Sequence, residues 1–221
     1  MKDLKAVRGN RIVREMVAQG EHEKQDFKFA ISDARKIARS LSAFANNGGG
    51  RLLIGVKDNG IIAGVRNEED IFVVEQAAEL YCRPAQHVDF KAFLVDGTMC
   101  VIVAEIEAAV DRPVYVVEGD GSLKAYYRVA DENIAAHPPM VRAWELRSSP
   151  VSMAFALDGN HTLLLDLVAR HGKIADTREA AIALHISQAQ ADAIVADLAS
   201  MDLLEFVYVN GSFAIACRTR Q

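Results

Sequence analysis

The chain has 221 residues and a net charge of −5, with 51% hydrophobic and 25% charged residues. That balance excludes a disordered polymer and an overall polycation, and leaves room for one large domain or two small ones. No apolar run is long enough to cross a bilayer and the N-terminus is charged where a secretory leader would be apolar, so the expectation is a cytoplasmic protein without a membrane partner.

In chain order, residues 3–19 set Leu4, Val7, Ile12, Met16 and Val17 among charges, which predicts an amphipathic helix interrupted near Gly9. Asp26–Ile31 alternates as a strand does. Ser32–Asn46 reads as a helix, with Ser32 as its N-cap, Ile37, Leu41 and Phe44 on one face, and Asn46-Asn47-Gly48 ending it. Arg51–Val56 is a buried strand, and Asp58-Asn59-Gly60 turns the chain into Ile61–Val65. Glu68–Tyr81 is a second helix. Strands follow at Val88–Val95, Cys100–Ile106 and Val114–Val117, with a last one at Lys124–Val129 and a closing helical turn at Met140–Leu146. The pattern is α+β, a mixed sheet with covering helices.

Arg147-Ser148-Ser149-Pro150 breaks the periodicity, and residues 147–157 read as a linker between a domain at 1–146 and another at 158–221. In the second domain Asn160–His171, Thr177–His185 and Ser187–Met201 are helices, and Leu204–Val209 with Phe213–Cys217 form a hairpin around Asn210-Gly211. Three helices followed by a two-stranded wing is the order of a winged helix-turn-helix, with Ser187 capping the candidate recognition helix. That helix contains no Lys or Arg, and residues 158–221 hold eight acids against five bases. Duplex phosphates would be repelled there, so the segment suits dimerisation or a protein partner at least as well as DNA, although Gln188 and Gln190 could contact adenine edges.

The chemistry concentrates near the N-terminus. Residues 1–40 carry ten basic and six acidic side chains, a local excess of four positive charges that could track phosphates. Asp26 and Lys28, two apart on a strand, project to one face while Phe27 and Phe29 turn inward. An acid that holds a hard cation beside a lysine that steadies negative charge is a common nuclease device. Asp58 follows the next strand, and Glu21 precedes Asp26 in a loop. The alternative for such acids and lysines is a solvated surface. Arg35, Lys36 and Arg39 form one basic patch on the Ser32–Asn46 helix, and Arg8, Arg11 and Arg14 a second, both candidates for phosphate contacts. Gly48-Gly49-Gly50 lacks the Lys-Ser/Thr of a P-loop, so ATP binding has little support; a tight helix-to-strand turn is the economical role, exposed amides there could bind a phosphate weakly, and Arg51 beside it suits either reading and joins the candidates for nucleic-acid contact. The six histidines have no metal-ligand spacing, and Cys82, Cys100 and Cys217 read as reduced core residues.

Asp26-Phe27-Lys28, Ala43-Phe44-Ala45-Asn46, Gly48-Gly49, Leu52-Leu53-Ile54-Gly55-Val56 and Asp58, with Gly60, Gly64 and the strand Ala125-Tyr126-Tyr127-Arg128-Val129, together resemble the AlbA_2 domain. This is the divergent AAA_4-like domain also found in Schlafen proteins, and the similarity spans roughly residues 12–146. The resemblance implies nucleic-acid binding, as in DNA-binding transcriptional regulators. It implies as an alternative a divalent-metal-dependent RNase acting on tRNA or rRNA, in which Glu21, Asp26 and Asp58 would hold Mg²⁺ or Mn²⁺. Asp26 departs from the glutamate usual at its position by one methylene. A homodimer is implied as well, because Schlafen proteins bring two such lobes onto their nucleic acid and this chain has one.

Overall fold

The computed structural model describes residues 4–65, 69–149 and 157–219. The chain divides into two compact units, residues 1–110 with 114–135, and residues 111–113 with 136–221.

The first unit opens with β1 (Val7–Arg8), α1 (Asn10–Ala18) and β2 (Gln25–Lys28). The helix expected across residues 3–19 is thus confined, among the described residues, to the part after Gly9, and Val7–Arg8 before it pair as a strand with Phe93 and Leu94. Next come α2 (Ala34–Asn46) and β3 (Gly50–Ile54). The N-cap of α2 is Asp33 and not Ser32; its carboxylate accepts from the backbone N–H groups of Arg35 and Lys36, a stronger answer to a helix N-terminus than a neutral hydroxyl. α3 (Glu69–Gln76) widens into a π-helical turn at Ala77–Tyr81, and β4 (Cys82–Arg83), β5 (Asp89–Val95), β6 (Met99–Ile106), β7 (Tyr115–Val117) and β8 (Leu123–Val129) follow. Lys124–Val129 is not the last strand: β9 (Glu132–Ala135) returns antiparallel to β8.

Two sheets result, one ordered β1-β5-β6-β3-β2 and the other β4-β7-β8-β9. α2 lies between them, and its C-terminal half, Ser40–Asn46, is buried on every side: Ile37, Leu41, Phe44 and Ala45 join Leu52, Ile54 and Ile102 of the first sheet and Val114, Val116 and Tyr126 on the side of the second in one core. The opposite face of the five-stranded sheet buries Phe27, Leu53, Phe93 and Val101 with Val13 of α1. β2 runs parallel to β3, with Asp26 opposite Leu52 and Lys28 opposite Ile54.

The polar end of α2 is stitched to the second sheet. Ser42 Oγ donates to Val114 O at 2.7 Å and accepts from Tyr126 N at 3.2 Å. Asn46 Nδ2 donates to Val114 O and Tyr126 O, and its Oδ1 accepts from Val114 N. These bonds answer backbone groups that no ladder reaches. The glycine turn that follows is steric in origin. Gly49 has φ +83, and a Cβ there would stand 2.9 Å from Ile106 O; at Gly50 it would strike the Phe44 ring.

In the second unit α4 (Pro138–Ser148) precedes α5 (Gly159–His171), β10 (Lys173–Ile174), α6 (Thr177–Leu184), α7 (Gln188–Ser200), β11 (Leu204–Val209) and β12 (Ser212–Cys217). The strands form a sheet in the order β10-β12-β11, so the expected hairpin gains a third strand. Ala143 of α4 packs in this unit's core with Leu164, Val195, Leu198 and Ile215; the Met140–Leu146 helix therefore belongs with the second unit and does not close the first. Of the expected linker, residues 150–156 lie outside the described residues. No helix among the described residues is long and apolar enough to cross a membrane.

Candidate functional site

Asp26 sits on β2 with its side chain almost fully buried, and both carboxylate oxygens face cations. Lys28 Nζ stands 2.6 Å from Oδ2, and Arg128 Nη2 stands 3.2 Å from Oδ1. The shared face of residues two apart on a strand thus becomes an ion pair. Lys28 also donates to Phe27 O at 2.8 Å, which fixes its ammonium over the strand. Arg128 comes from β8 of the other sheet. It is 1% exposed, lies over the Phe44 ring at 5.1 Å, and donates from Nη1 to Asn133 Oδ1 at 2.9 Å. Asn133 in turn donates to Ser40 Oγ of α2 at 2.9 Å. One polar chain therefore runs Ser40–Asn133–Arg128–Asp26–Lys28 across four elements, α2, β9, β8 and β2.

Glu21 lies beside it. Its Oε1 accepts from Phe27 N at 2.8 Å, and its carboxyl hydrogen-bonds Asp26. Burial, then the hydrogen bond with Asp26, pushes the Glu21 carboxyl above its usual range. Burial also presses the Asp26 carboxyl upward, but the hydrogen bond from Glu21 and the charges of Lys28 and Arg128 outweigh it and hold Asp26 below its usual value. In acid, Glu21 therefore takes up a proton before Asp26.

This chain forms the floor of a cleft of about 440 Å³. Lys28, Lys36, Arg39 and Arg128 line it, with Ser40, Asn133, Asp26, Asp131 and Glu132. Asp26 is neutralised within the floor. Arg39 is held in a two-bond fork by Glu118, Nε to Oε1 at 3.0 Å and Nη2 to Oε2 at 2.5 Å, and Tyr126 Oη donates to the same carboxylate at 2.5 Å. The hydrogen bond to Glu118 raises the Arg39 guanidinium further, and burial with the Glu118 bond lifts the Tyr126 phenol to about 12. Lys36 is exposed at the rim, and its ammonium has no ion pair or hydrogen bond among the described residues. The cleft thus offers an anion one uncommitted cation, Lys36, and the remaining donor capacity of Lys28, in front of a guanidinium pair and against the exposed carboxylates of Asp131 and Glu132.

Of the expected site residues, Glu21, Asp26 and Lys28 come together. Asp58 does not join them: it is exposed on the turn after β3, where Lys57 N donates to Ile61 O. The register explains the separation. β2 and β3 are parallel, so the end of β3 near Asp58 meets Lys28, whose carbonyl accepts from Gly55 N, while Asp26 lies further back beside Leu52. Among the described residues no group of three or more His, Cys, Asp or Glu side chains is arranged to hold a metal ion. The donor set at Asp26 does not suit a divalent cation as arranged, because Lys28 and Arg128 already face both of its oxygens.

The basic patches divide. On α2, Lys36 and Arg39 line the cleft, whereas Arg35 stacks over the Tyr81 ring at 5.0 Å. Arg11 pairs with Glu15 and Arg14 with Asp96, while Arg8 is exposed on β1. Arg51 donates to Gln25 Oε1 and Gln19 Oε1, a structural role. Arg128, Ser40 and Asn133 were not among the expected site residues. The signal for Arg128 is a charge at an inward position of an aromatic strand, two residues from the buried Tyr126.

Comparison with known proteins adds a family and two solved structures that align with the chain. The family described as Schlafen, AlbA_2 matches residues 21–137, more than half of the chain. A crystal structure of the DIP2311 protein from Corynebacterium diphtheriae aligns with a TM-score of 0.45 and 19% identity, covering 89% of this chain and 34% of that one. The chain thus spans about a third of the length of that protein. The solution structure of the N-terminal domain of a RecG-related protein from Nitrosomonas europaea aligns with a TM-score of 0.41 and 18% identity, covering 69% of this chain and 96% of that domain. No curated protein matches the chain.

Proposed function

Since the chain belongs to the Schlafen AlbA_2 family, we propose that it is a nucleic-acid-binding protein whose cleft between β2, α2 and β8 grips backbone phosphate. The observation that carries this reading is the convergence of Lys28, Lys36, Arg39 and Arg128 on one cleft, with Asp26 already neutralised beneath them. Lysine and arginine contacts to phosphate release condensed counterions, so such binding weakens linearly on a logarithmic salt scale. These contacts orient a backbone without reading bases.

The C-terminal unit, with its helix order and β10-β12-β11 sheet, we read as a winged helix. Its candidate recognition helix has little to offer DNA. Gln188 Nε2 donates to Thr177 Oγ1 and to Asp192 Oδ1, and α7 contains no Lys or Arg. We therefore assign the grip on nucleic acid to the N-terminal cleft, in the manner of a DNA-binding regulator, and assign to the C-terminal unit a protein contact, with a second copy of this chain as the first candidate. The metal-dependent RNase reading requires Glu21, Asp26 and Asp58 to share one cation, and the ion pairs of Asp26 with Lys28 and Arg128 do not favour it.

The test is an anisotropy titration of the full chain with labelled duplex DNA and single-stranded RNA across a salt series. Saturable binding that falls steeply with salt is the expected result. Absence of binding to both at low salt contradicts the proposal.

A further inference from the structure

We infer that Asp26 is the internal counter-ion of this cleft, a positioning residue that answers the buried Arg128, holds Lys28 for an incoming phosphate and does not ligate a metal. The phosphate part rests on the nucleic-acid reading above; the counter-ion part rests on geometry alone.

Three observations carry it. Arg128 is 1% exposed, and a guanidinium so buried needs an anion inside the protein; among the described residues Asp26 is the carboxylate paired with it. The Asp26 side chain is only 5% exposed, with a cation on each oxygen, so a divalent ion and its water shell would have to enter against two positive charges. Glu21, a second carboxylate on the same segment, already accepts from Phe27 N. The cluster is thus two acids answered by two bases.

Lys28 behaves differently from Arg128. Its side chain is 31% exposed and opens on the cleft, while Asp26 and the Phe27 carbonyl take part of its donor capacity. An ammonium has three donors, so the carboxylate both fixes this cation and leaves part of it for a ligand. It also weakens the field a phosphate meets. Asp26 therefore sets affinity downward while it keeps the geometry, which gives the opposite sign to a metal ligand.

The test uses the full chain and D26N, which keeps the shape and removes the charge. Oligonucleotide binding should tighten roughly fivefold, as for one unit charge a few ångströms from phosphate in water. Titration with Mn²⁺ alone, followed by its EPR signal, should leave the ion free in wild type and variant alike. Stoichiometric Mn²⁺ binding by wild type that D26N loses overturns the inference, as does a folded D26N, by circular dichroism, with weaker oligonucleotide binding. If D26N does not fold, Lys28→Met, at a part-exposed position, decides the phosphate half: weaker oligonucleotide binding supports it, and unchanged binding overturns it. Wild type that binds no oligonucleotide overturns the underlying reading and the phosphate half together, and the Mn²⁺ titration then judges the counter-ion half by itself.

Discussion

α2 and α7 are both 13-residue helices at the centre of their units, each capped by a side-chain oxygen, Asp33 in one and Ser187 in the other. Their polar residues do opposite things. α2 sends Lys36 and Arg39 into a cleft and ties Ser42 and Asn46 to the neighbouring strands. The polar side chains of α7 engage one another and its immediate neighbours: Gln188 bonds Asp192 and Thr177, and Asp197 lies 3.5 Å from His161 Nε2. Similar architecture thus supports two kinds of surface, and only the first has cations to spare. Helix position in a fold does not by itself indicate a nucleic-acid contact.

That contrast makes buried charge in the first unit costly to disturb. Arg128→Met should lower stability by about 3–5 kcal/mol, because it leaves Asp26 buried with half of its answer missing. Urea denaturation measures this. Arg170→Ala in the second unit, where Arg170 pairs with Asp166 and both side chains are exposed, should lose far less, and equal losses would erase the contrast. Next in size is Ser42→Ala, which leaves Tyr126 N without that acceptor and should cost about 1–3 kcal/mol in the same assay.

A smaller effect depends on pH. The Asp26 carboxyl is lowered by the fold, so its contribution is present above its unfolded value of about 3.9 and is lost as pH falls through the lower folded value. Glu21 has the opposite sign. Its raised folded value means stability that is present below about 4.3 and lost as pH rises through that folded value. Glu21→Gln, which imitates the protonated form, should therefore gain on wild type at neutral pH, and the gain should vanish in acid. A difference that stays flat with pH would contradict the coupled pair. The smallest effect is expected on α7, where Gln188→Ala and Asp192→Asn should leave oligonucleotide affinity unchanged. A clear loss there would move the nucleic-acid contact to the second unit.

Much of this was legible in local pattern. The spacing of Ile37, Leu41 and Phe44 located α2, and the two-residue separation of Asp26 and Lys28 put them on one face, where they pair at 2.6 Å. Asp33 displaced Ser32 as cap because two good capping residues stand side by side, and sequence does not say which carries the turn. β9 is not legible in the sequence because Glu132-Asn133-Ile134-Ala135 has one large apolar residue and alternates with nothing. Arg128 and Asn133 could not be assigned to the site without the sheet-to-sheet packing that brings β8 to β2, a contact between residues about a hundred positions apart in sequence. The distance of Asp58 from the acid pair likewise follows from strand register, which no local spacing records.

The central claim is that this cleft neutralises phosphate, and Lys36, exposed and uncommitted, reports on it most directly. The measurement is the slope of log affinity against log salt for an oligonucleotide, with wild type and Lys36→Ala compared. Loss of one phosphate contact should make the slope shallower by about 0.7–0.9. Two identical slopes, with affinity unchanged, would contradict the account.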